Sequence, residues 1–186
     1  MNYQIFRLIN GLAYKNAALD AVMIFSSKYL PYIIALLVAA VFFTGIVRRD
    51  KACVKGAVTS CLLAAVNLAI NFVIGRFLFC PRPFASYKVN MLYSHVADSS
   101  FPSDHATFTM SAAAGLMRAR RALGWICVGL SLLVGFSRIY VGHHYPLDVA
   151  ASYLIVLATD VLYRLLLEKK VSALLDRAQE KLFHSR

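Results

Sequence analysis

The chain has 186 residues, enough for one domain, with 20 Lys and Arg against 9 Asp and Glu and a formal net charge of +11. Hydrophobic residues make up 60% of it and charged residues only 16%, where a soluble protein carries roughly 25% charged. That balance excludes a disordered chain, a small secreted disulfide scaffold and a soluble nucleic-acid binder, and it points to an integral membrane protein.

Residues 1–27 scatter Arg7, Asn10, Lys15, Asn16 and Asp20 among Ile5, Phe6, Leu8, Ile9, Leu12 and Tyr14. They read as one amphipathic helix, or two short ones, lying at the membrane interface, with a sixth, tilted span as the alternative. A cleaved signal peptide fits less well, since the apolar run before Lys15 is short. Five spans follow, at 28–47, 54–77, 103–119, 122–140 and 147–167. Tyr29 to Val47 and Gly56 to Gly75 are uncharged over 19 and 20 residues, enough to cross about 30 Å at about 1.5 Å per residue. The third span reaches useful length only if it starts near Ser103. The fifth is interrupted by Asp160 and Arg164, which are spaced for a helix-face ion pair. The tail, 168–186, mixes Leu174, Leu175, Leu182 and Phe183 with charge and reads as an amphipathic helix near anionic lipid. The expected fold class is all-α: a polytopic membrane helical bundle of about five transmembrane helices plus the N-terminal amphipathic helix, in a single domain, 1–186.

Basic residues orient the bundle. Arg48, Arg49, Lys51 and Lys55 lie between spans one and two, Arg118, Arg120 and Arg121 between spans three and four, and six more from Arg164 onward. These belong on the cytoplasmic side. Alternation then places Arg7, Lys15, Lys28, Arg76, Arg82, Lys88 and Arg138 outside, so the 80–102 loop and the 138–148 turn share the outer face. The four cysteines are dispersed, show no zinc-ligand spacing, and read as small buried residues.

The outer face holds three clusters: Cys80-Pro81-Arg82-Pro83-Phe84, then Phe101-Pro102-Ser103-Asp104-His105, then Ser137-Arg138 through His143-His144-Tyr145-Pro146-Leu147-Asp148. Pro146 suits the first position of a helix, which leaves His144 just ahead of span five and Asp148 in its first turn. The Asp148 carboxylate is predicted to reach back to one imidazole nitrogen of His144, fixing the tautomer and freeing the other nitrogen as nucleophile or base. Ser103 is predicted to N-cap span three. The free N–H groups there would bind an anion, with His105 in the same turn. Arg82 and Arg138 supply guanidinium forks for phosphate oxygens. His143 is given no role, and His95 and Asp98 are placed in the loop beside the entrance. The sum is an anion cradle with one oriented and one free histidine.

These clusters resemble the signature of the type 2 phosphatidic acid phosphatase superfamily, K-x6-R-P, P-S-G-H and S-R-x5-H-x3-D. Arg82-Pro83 matches the end of the first motif. Pro102-Ser103-Asp104-His105 matches the second, with aspartate in place of glycine. Ser137, Arg138, His144 and Asp148 match the third, and the motifs are separated by 18 and 31 residues. The lysine position of the first motif is Gly75; Arg76 follows it, turned by about 100° on a helix, and is kept as a candidate phosphate ligand. The Ser-Asp-His variant and the short chain resemble the bacterial branch of bacitracin-resistance-type undecaprenyl-diphosphate phosphatases.

The resemblance implies that His144 attacks the terminal phosphorus to form a phosphohistidine. It implies that Asp148 orients His144, that His105 serves as acid and then base, and that Arg82, Arg138, Arg76, Ser103 and the amides near Asp104 hold phosphate oxygens. No metal and no cofactor are expected, since the outer face has no compact acidic cluster for a divalent ion. The expected partner is a lipid, an isoprenoid diphosphate entering from the bilayer, with no nucleic acid and no particular oligomeric state implied. The expected location is a bacterial inner membrane with the site facing outward. Alternatives are phosphatidate or phosphatidylglycerol phosphate as substrate, or a non-catalytic anionic-lipid binder or small transporter. Phe84, Tyr87, Met91, Leu92, Tyr93 and Phe101 either cover the lipid chain or pack the loop onto the helices.

Overall fold

A computed structural model describes the backbone of residues 1–184 and the side chains through residue 180. Among the described residues every regular element is a helix: α1 Asn2–Asn10, α2 Ala17–Lys28, α3 Leu30–Val47, α4 Lys51–Phe77, α5 Pro83–Ser86, α6 Asp104–Ala119, α7 Arg121–Tyr140, α8 Pro146–Leu166 and α9 Glu168–His184. Four of them, α3, α4, α7 and α8, are long and apolar enough to cross a membrane. The 16 residues of α6 form the fifth helix of the bundle, enclosed by α4, α7, α8 and α3.

That position explains why α6 is the least apolar of the five. Several of its polar groups face neighbouring helices rather than lipid and bond to them. Asn67 Nδ2 donates to Ser111 Oγ at 3.1 Å, Asn71 Nδ2 donates to Thr107 Oγ1 at 2.9 Å, and Thr109 Oγ1 pairs with Ser131 Oγ at 2.8 Å. Small residues let α4 and α6 approach closely, as in membrane helix pairs generally. A Cβ added at Gly115 would sit 2.2 Å from the Ser60 backbone nitrogen, and Ser60 Oγ donates to the Ala112 carbonyl at 2.9 Å.

Helix starts follow their local chemistry. Asp50 Oδ1 accepts from Ala52 N and Cys53 N at 3.0 and 3.2 Å, capping α4. The Cys53 amide, with Arg120 as ion-pair partner, holds the Asp50 carboxyl below its ordinary range. Asn16 caps α2 by accepting from Leu19 N at 3.0 Å. Pro146 occupies the first turn of α8 as the sequence predicts.

Neither α1 nor α2, with 9 and 12 residues, reaches the about 20 residues a span needs, so the alternative of a sixth span is not realised. Instead α1 sits at the end of the bundle where α7 stops. Phe6 is buried with Ala106, Ile139 and Val149. Asn10 Nδ2 donates to the Asn90 and Tyr140 carbonyls at 2.7 and 2.8 Å. At the opposite end, Lys55 and Lys51 of α4 bridge to Asp176 and Glu180 at 2.8 and 3.3 Å and dock α9. The side chains of Leu182 and Phe183, and residues 185–186, lie outside the described residues. Asp160 pairs with Arg164 as its spacing predicts, at 2.9 Å, and also with Arg118 at 2.9 Å.

Candidate active site

The turn that presents the histidine pair begins as the C-terminal cap of α7. Gly142 takes φ +91°, a left-handed value that favours glycine. Gly142 N donates to the Ile139 carbonyl at 3.1 Å and His143 N to the Arg138 carbonyl at 3.0 Å, the bond pair of a Schellman motif. The chain reverses there, and His144 arrives at the start of α8 only 1% exposed.

His144 has one tautomer consistent with its partners. Nδ1 lies 2.8 Å from the Ser100 carbonyl, which can only accept. Nε2 lies 3.0 Å from Arg82 Nη1, which can only donate. The ring is therefore neutral, protonated on Nδ1, with its Nε2 lone pair directed at Arg82. Burial, then the charges of Arg138, Arg82 and His105, hold its pKa well below the ordinary imidazole value.

The spacing predicts a direct bond from Asp148 to His144, and the structure corrects this. Asp148 Oδ2 is 3.6 Å from Nδ1, beyond hydrogen-bond reach. That oxygen accepts instead from Tyr145 N at 2.8 Å and from the Ser100 hydroxyl. Ser100 thus touches both members of the pair, and its own N–H donates to the Cys80 carbonyl at 2.7 Å. Sequence reasoning passed over Ser100.

Ser103 stands at the N-cap of α6, but its side chain caps nothing. Its backbone N–H donates to Ser152 Oγ at 2.8 Å, while its carbonyl accepts from Ser152 Oγ at 3.1 Å and from Thr107 N at 2.9 Å. This holds the Ser103 backbone against α8 and leaves its hydroxyl buried without a partner. Asp104 is exposed, and its Oδ1 accepts from Asn71 Nδ2 at 2.9 Å. His105, next in the first turn of α6, makes no side-chain hydrogen bond among the described residues.

Both arginines are buried, Arg82 at 5% and Arg138 at 1% exposure, and the outer loop partners each of them. Arg82 Nε donates to Asp98 Oδ1 at 2.7 Å, and its Nη1 also donates to the His143 carbonyl at 3.1 Å. Arg138 Nη1 donates to Tyr93 Oη and Ser27 Oγ at 3.0 and 3.2 Å, and Nη2 donates to His95 Nε2 at 2.8 Å. Its Nε is buried without a partner. Arg138 is thus a buried cation surrounded by neutral groups. His95 Nδ1 donates to the Val96 carbonyl at 3.0 Å, so this ring too is neutral, and burial lowers its pKa.

Arg76 is not brought to the cluster. It is exposed at the end of α4, and the position turned toward the site is Gly75, whose missing Cβ would lie 3.5 Å from the Phe101 carbonyl. His143 is a packing residue. Its Nε2 donates to the Tyr93 carbonyl at 3.0 Å, and its ring packs edge-on against Tyr93 at 4.4 Å. Burial, with Arg138 next, pushes its pKa down to about 3. Leu92 and Tyr93 of the loop pack onto the cluster around Tyr140, while the exposed Tyr87 stacks on Tyr3 at 4.0 Å. No group of three His, Cys, Asp or Glu placed to hold a metal ion occurs among the described residues.

The arrangement is one neutral imidazole with a defined lone pair, a second imidazole free of hydrogen bonds, two buried guanidinium groups, an unpartnered hydroxyl and a helix start. It can bind a dianion and carry out in-line displacement at phosphorus. The model of the PAP2 superfamily matches residues 56–172. The chain is 38% identical over 163 residues to "Undecaprenyl-diphosphatase BcrC" of Bacillus subtilis, covering 88% of this chain and 82% of the relative. It is 32% identical over 167 residues to "Undecaprenyl-diphosphatase" of Sulfolobus acidocaldarius, covering 83% and 72%. The crystal structure of Aquifex aeolicus LpxE superposes with a TM-score of 0.67 at 27% identity, over 87% of this chain and 93% of that one.

Proposed function

This chain belongs to the PAP2 superfamily, and we propose that it hydrolyses undecaprenyl diphosphate to undecaprenyl phosphate and inorganic phosphate. It is a multi-pass membrane protein and a phosphoric ester or anhydride hydrolase of that superfamily acting on lipid. The choice of lipid diphosphate rests on the relatives named for that activity.

The observation that carries the phosphate site is Arg138, a fully buried cation whose hydrogen-bond partners are all neutral. An uncompensated buried charge is costly, and a phosphate dianion supplies the missing counter-charge.

In the first step the Nε2 lone pair of His144 attacks the terminal phosphorus, and the bond to the bridging oxygen breaks. The electron pair leaves with undecaprenyl phosphate, which takes its proton from His105. Arg82 passes from Nε2 to a phosphate oxygen as the nucleophile engages. The imidazolium that forms keeps its Nδ1–H on the Ser100 carbonyl, with the Asp148 carboxylate 3.6 Å away. Arg138, the Ser103 hydroxyl and the first N–H groups of α6 bind the equatorial oxygens, where charge spreads in the transition state. In the second step His105 takes a proton from water, the water oxygen attacks phosphorus, and the P–N bond breaks to release phosphate.

Arg82 and Arg138 supply positive charge against the phosphate oxygens, the task a metal ion performs in other phosphoryl-transfer sites. The distribution of basic loops supports a site on the extracytoplasmic face of a bacterial inner membrane, where the proposed reaction regenerates a cell-wall carrier lipid and confers bacitracin resistance. The test is phosphate release by purified protein from undecaprenyl diphosphate, phosphatidate and phosphatidylglycerol phosphate side by side, with and without excess EDTA. Undecaprenyl diphosphate is expected to turn over fastest, EDTA to change nothing, and His144→Ala to abolish release. Substantial turnover by pure His144→Ala protein would overturn the nucleophile.

A further inference from the structure

At the end of the bundle away from the histidines, α7 and α8 separate. They close on each other near the middle, where Tyr153 Oη donates to the Ser131 carbonyl at 2.6 Å. Below that point a cleft of about 650 Å³ opens between them, with α6 as its floor. Its walls are apolar, from Met110, Met117, Trp125, Val128, Val156 and Leu157. Trp125 and Leu157 are 59% and 61% exposed, so the cleft is open along its side.

The mouth has the opposite character. Arg118, Arg121 and Arg164 gather there with Asp160 and Glu168, leaving one positive charge in excess. Arg118 Nε bonds Glu168 at 2.7 Å and its Nη1 pairs with Asp160 at 2.9 Å, while its Nη2 is buried without a hydrogen-bond partner. Arg164 Nε is taken by Asp160 at 2.9 Å. Arg121 is exposed and forms no hydrogen bond or ion pair among the described residues. From Arg164 to Tyr153 is 11 residues along α8, or about 16 Å, close to half of the about 30 Å hydrocarbon thickness.

We propose that this cleft is a binding site for an anionic phospholipid of the leaflet opposite the catalytic cluster. Its phosphate is held by Arg121 and Arg164 beside Arg118, and one acyl chain lies in the cleft along Trp125. The depth matches a single leaflet, the apolar walls match an acyl chain, and the surplus cation matches a headgroup that is negative rather than zwitterionic. The site is separate from the phosphatase centre and does not depend on which lipid that centre hydrolyses.

The chain has one tryptophan, and it lines this cleft, so bromine on an acyl chain reports occupancy directly through fluorescence quenching. The full-length protein is reconstituted in two vesicle sets of identical phosphatidylcholine and phosphatidylglycerol content. In one set the bromine is on phosphatidylglycerol, in the other on an equal amount of phosphatidylcholine. Quenching is expected to show enrichment of phosphatidylglycerol beside Trp125 of roughly fivefold over phosphatidylcholine. Arg121→Gln and Arg164→Gln are expected to reduce that preference, whereas Lys169→Gln with Lys170→Gln, outside the cleft, leaves it in place. Equal quenching in the two sets would overturn the site. So would a lysine pair that mattered as much as the arginines, since the preference would then be general attraction to a basic surface. Arg121 has no partner to lose, so its substitution tests binding without disturbing the fold.

Discussion

The carbonyl of Ser100 lies 2.8 Å from Nδ1 of His144, closer than the carboxylate of Asp148 at 3.6 Å. The Ser100 hydroxyl bonds that same carboxylate. The orienting contact on the proposed nucleophile is therefore a backbone group, and in that reading the carboxylate acts through the residue that supplies it. Ser100→Ala removes the hydroxyl while keeping the carbonyl. A hydrogen bond to a charged group is worth about 1.5–3 kcal/mol, so kcat is expected to fall roughly ten- to a hundredfold with KM little changed. Steady-state phosphate release measures both. An unchanged kcat would show that the carbonyl alone suffices.

His105 is expected to matter more in the second step than in the first. The proposed leaving group is a phosphate monoester, whose second pKa near 6 makes it departable without a proton. Water, by contrast, needs a base, and general base catalysis contributes roughly 10²–10⁴-fold. His105→Ala should therefore accumulate phosphorus on His144. Acid-labile, alkali-stable label retained on protein after mixing with substrate labelled in its terminal phosphate checks this. Absence of retained label in a variant that still turns over slowly would count against the assignment.

Much of this was legible beforehand. Uncharged runs gave the long helices, Pro146 marked the start of α8, and three dispersed clusters proved to occupy one end of the bundle. What was missed shares a cause. A carbonyl such as that of Ser100 has no side-chain signature, and an irregular loop has no period to read. Hence the Arg82–Asp98 and Arg138–His95 pairs did not show in the spacing. Ser103 reads as a cap by residue type, but Ser152, one turn beyond Asp148, holds its backbone on both sides. Arg76 fails because a one-residue shift on α4 turns it away from the cluster. The Gly142 turn does carry a sequence signal, a glycine following an apolar helix.

If Arg82 holds phosphate as proposed, Asp98 competes with substrate for it. Asp98 is an exposed residue holding a buried guanidinium at 2.7 Å, so phosphate must share or displace it. Asp98→Asn keeps the size and removes the charge. Solvent at the exposed Asp98 side screens the pair, so its contribution lies near the upper end for exposed ion pairs, about 1 kcal/mol, and the inhibition constant for inorganic phosphate is expected to fall roughly two- to fivefold. Competition assays against the lipid substrate read it directly, and weaker phosphate binding in the variant would mean that Asp98 positions Arg82 rather than competing for it.

His143 makes stability depend on pH. In the unfolded chain its imidazole gains a proton near pH 6.5, whereas the folded protein resists until about 3. Between those values the unfolded state binds more protons, so stability is lost as pH falls below 6.5. The nearby charges from other elements, Arg138 and Arg82, oppose protonation in the same sense as burial, and His95 adds to them. Tm measured from pH 6.5 down to 5, above the titration of most carboxylates, should fall steadily. His144 contributes in the same direction, so His143→Gln should flatten the slope without removing it. Its amide also keeps a donor for the Tyr93 carbonyl that His143 now serves at 3.0 Å, which separates the loss of a titrating group from the loss of a hydrogen bond. An unchanged slope in the variant would place the pH dependence elsewhere in the protein.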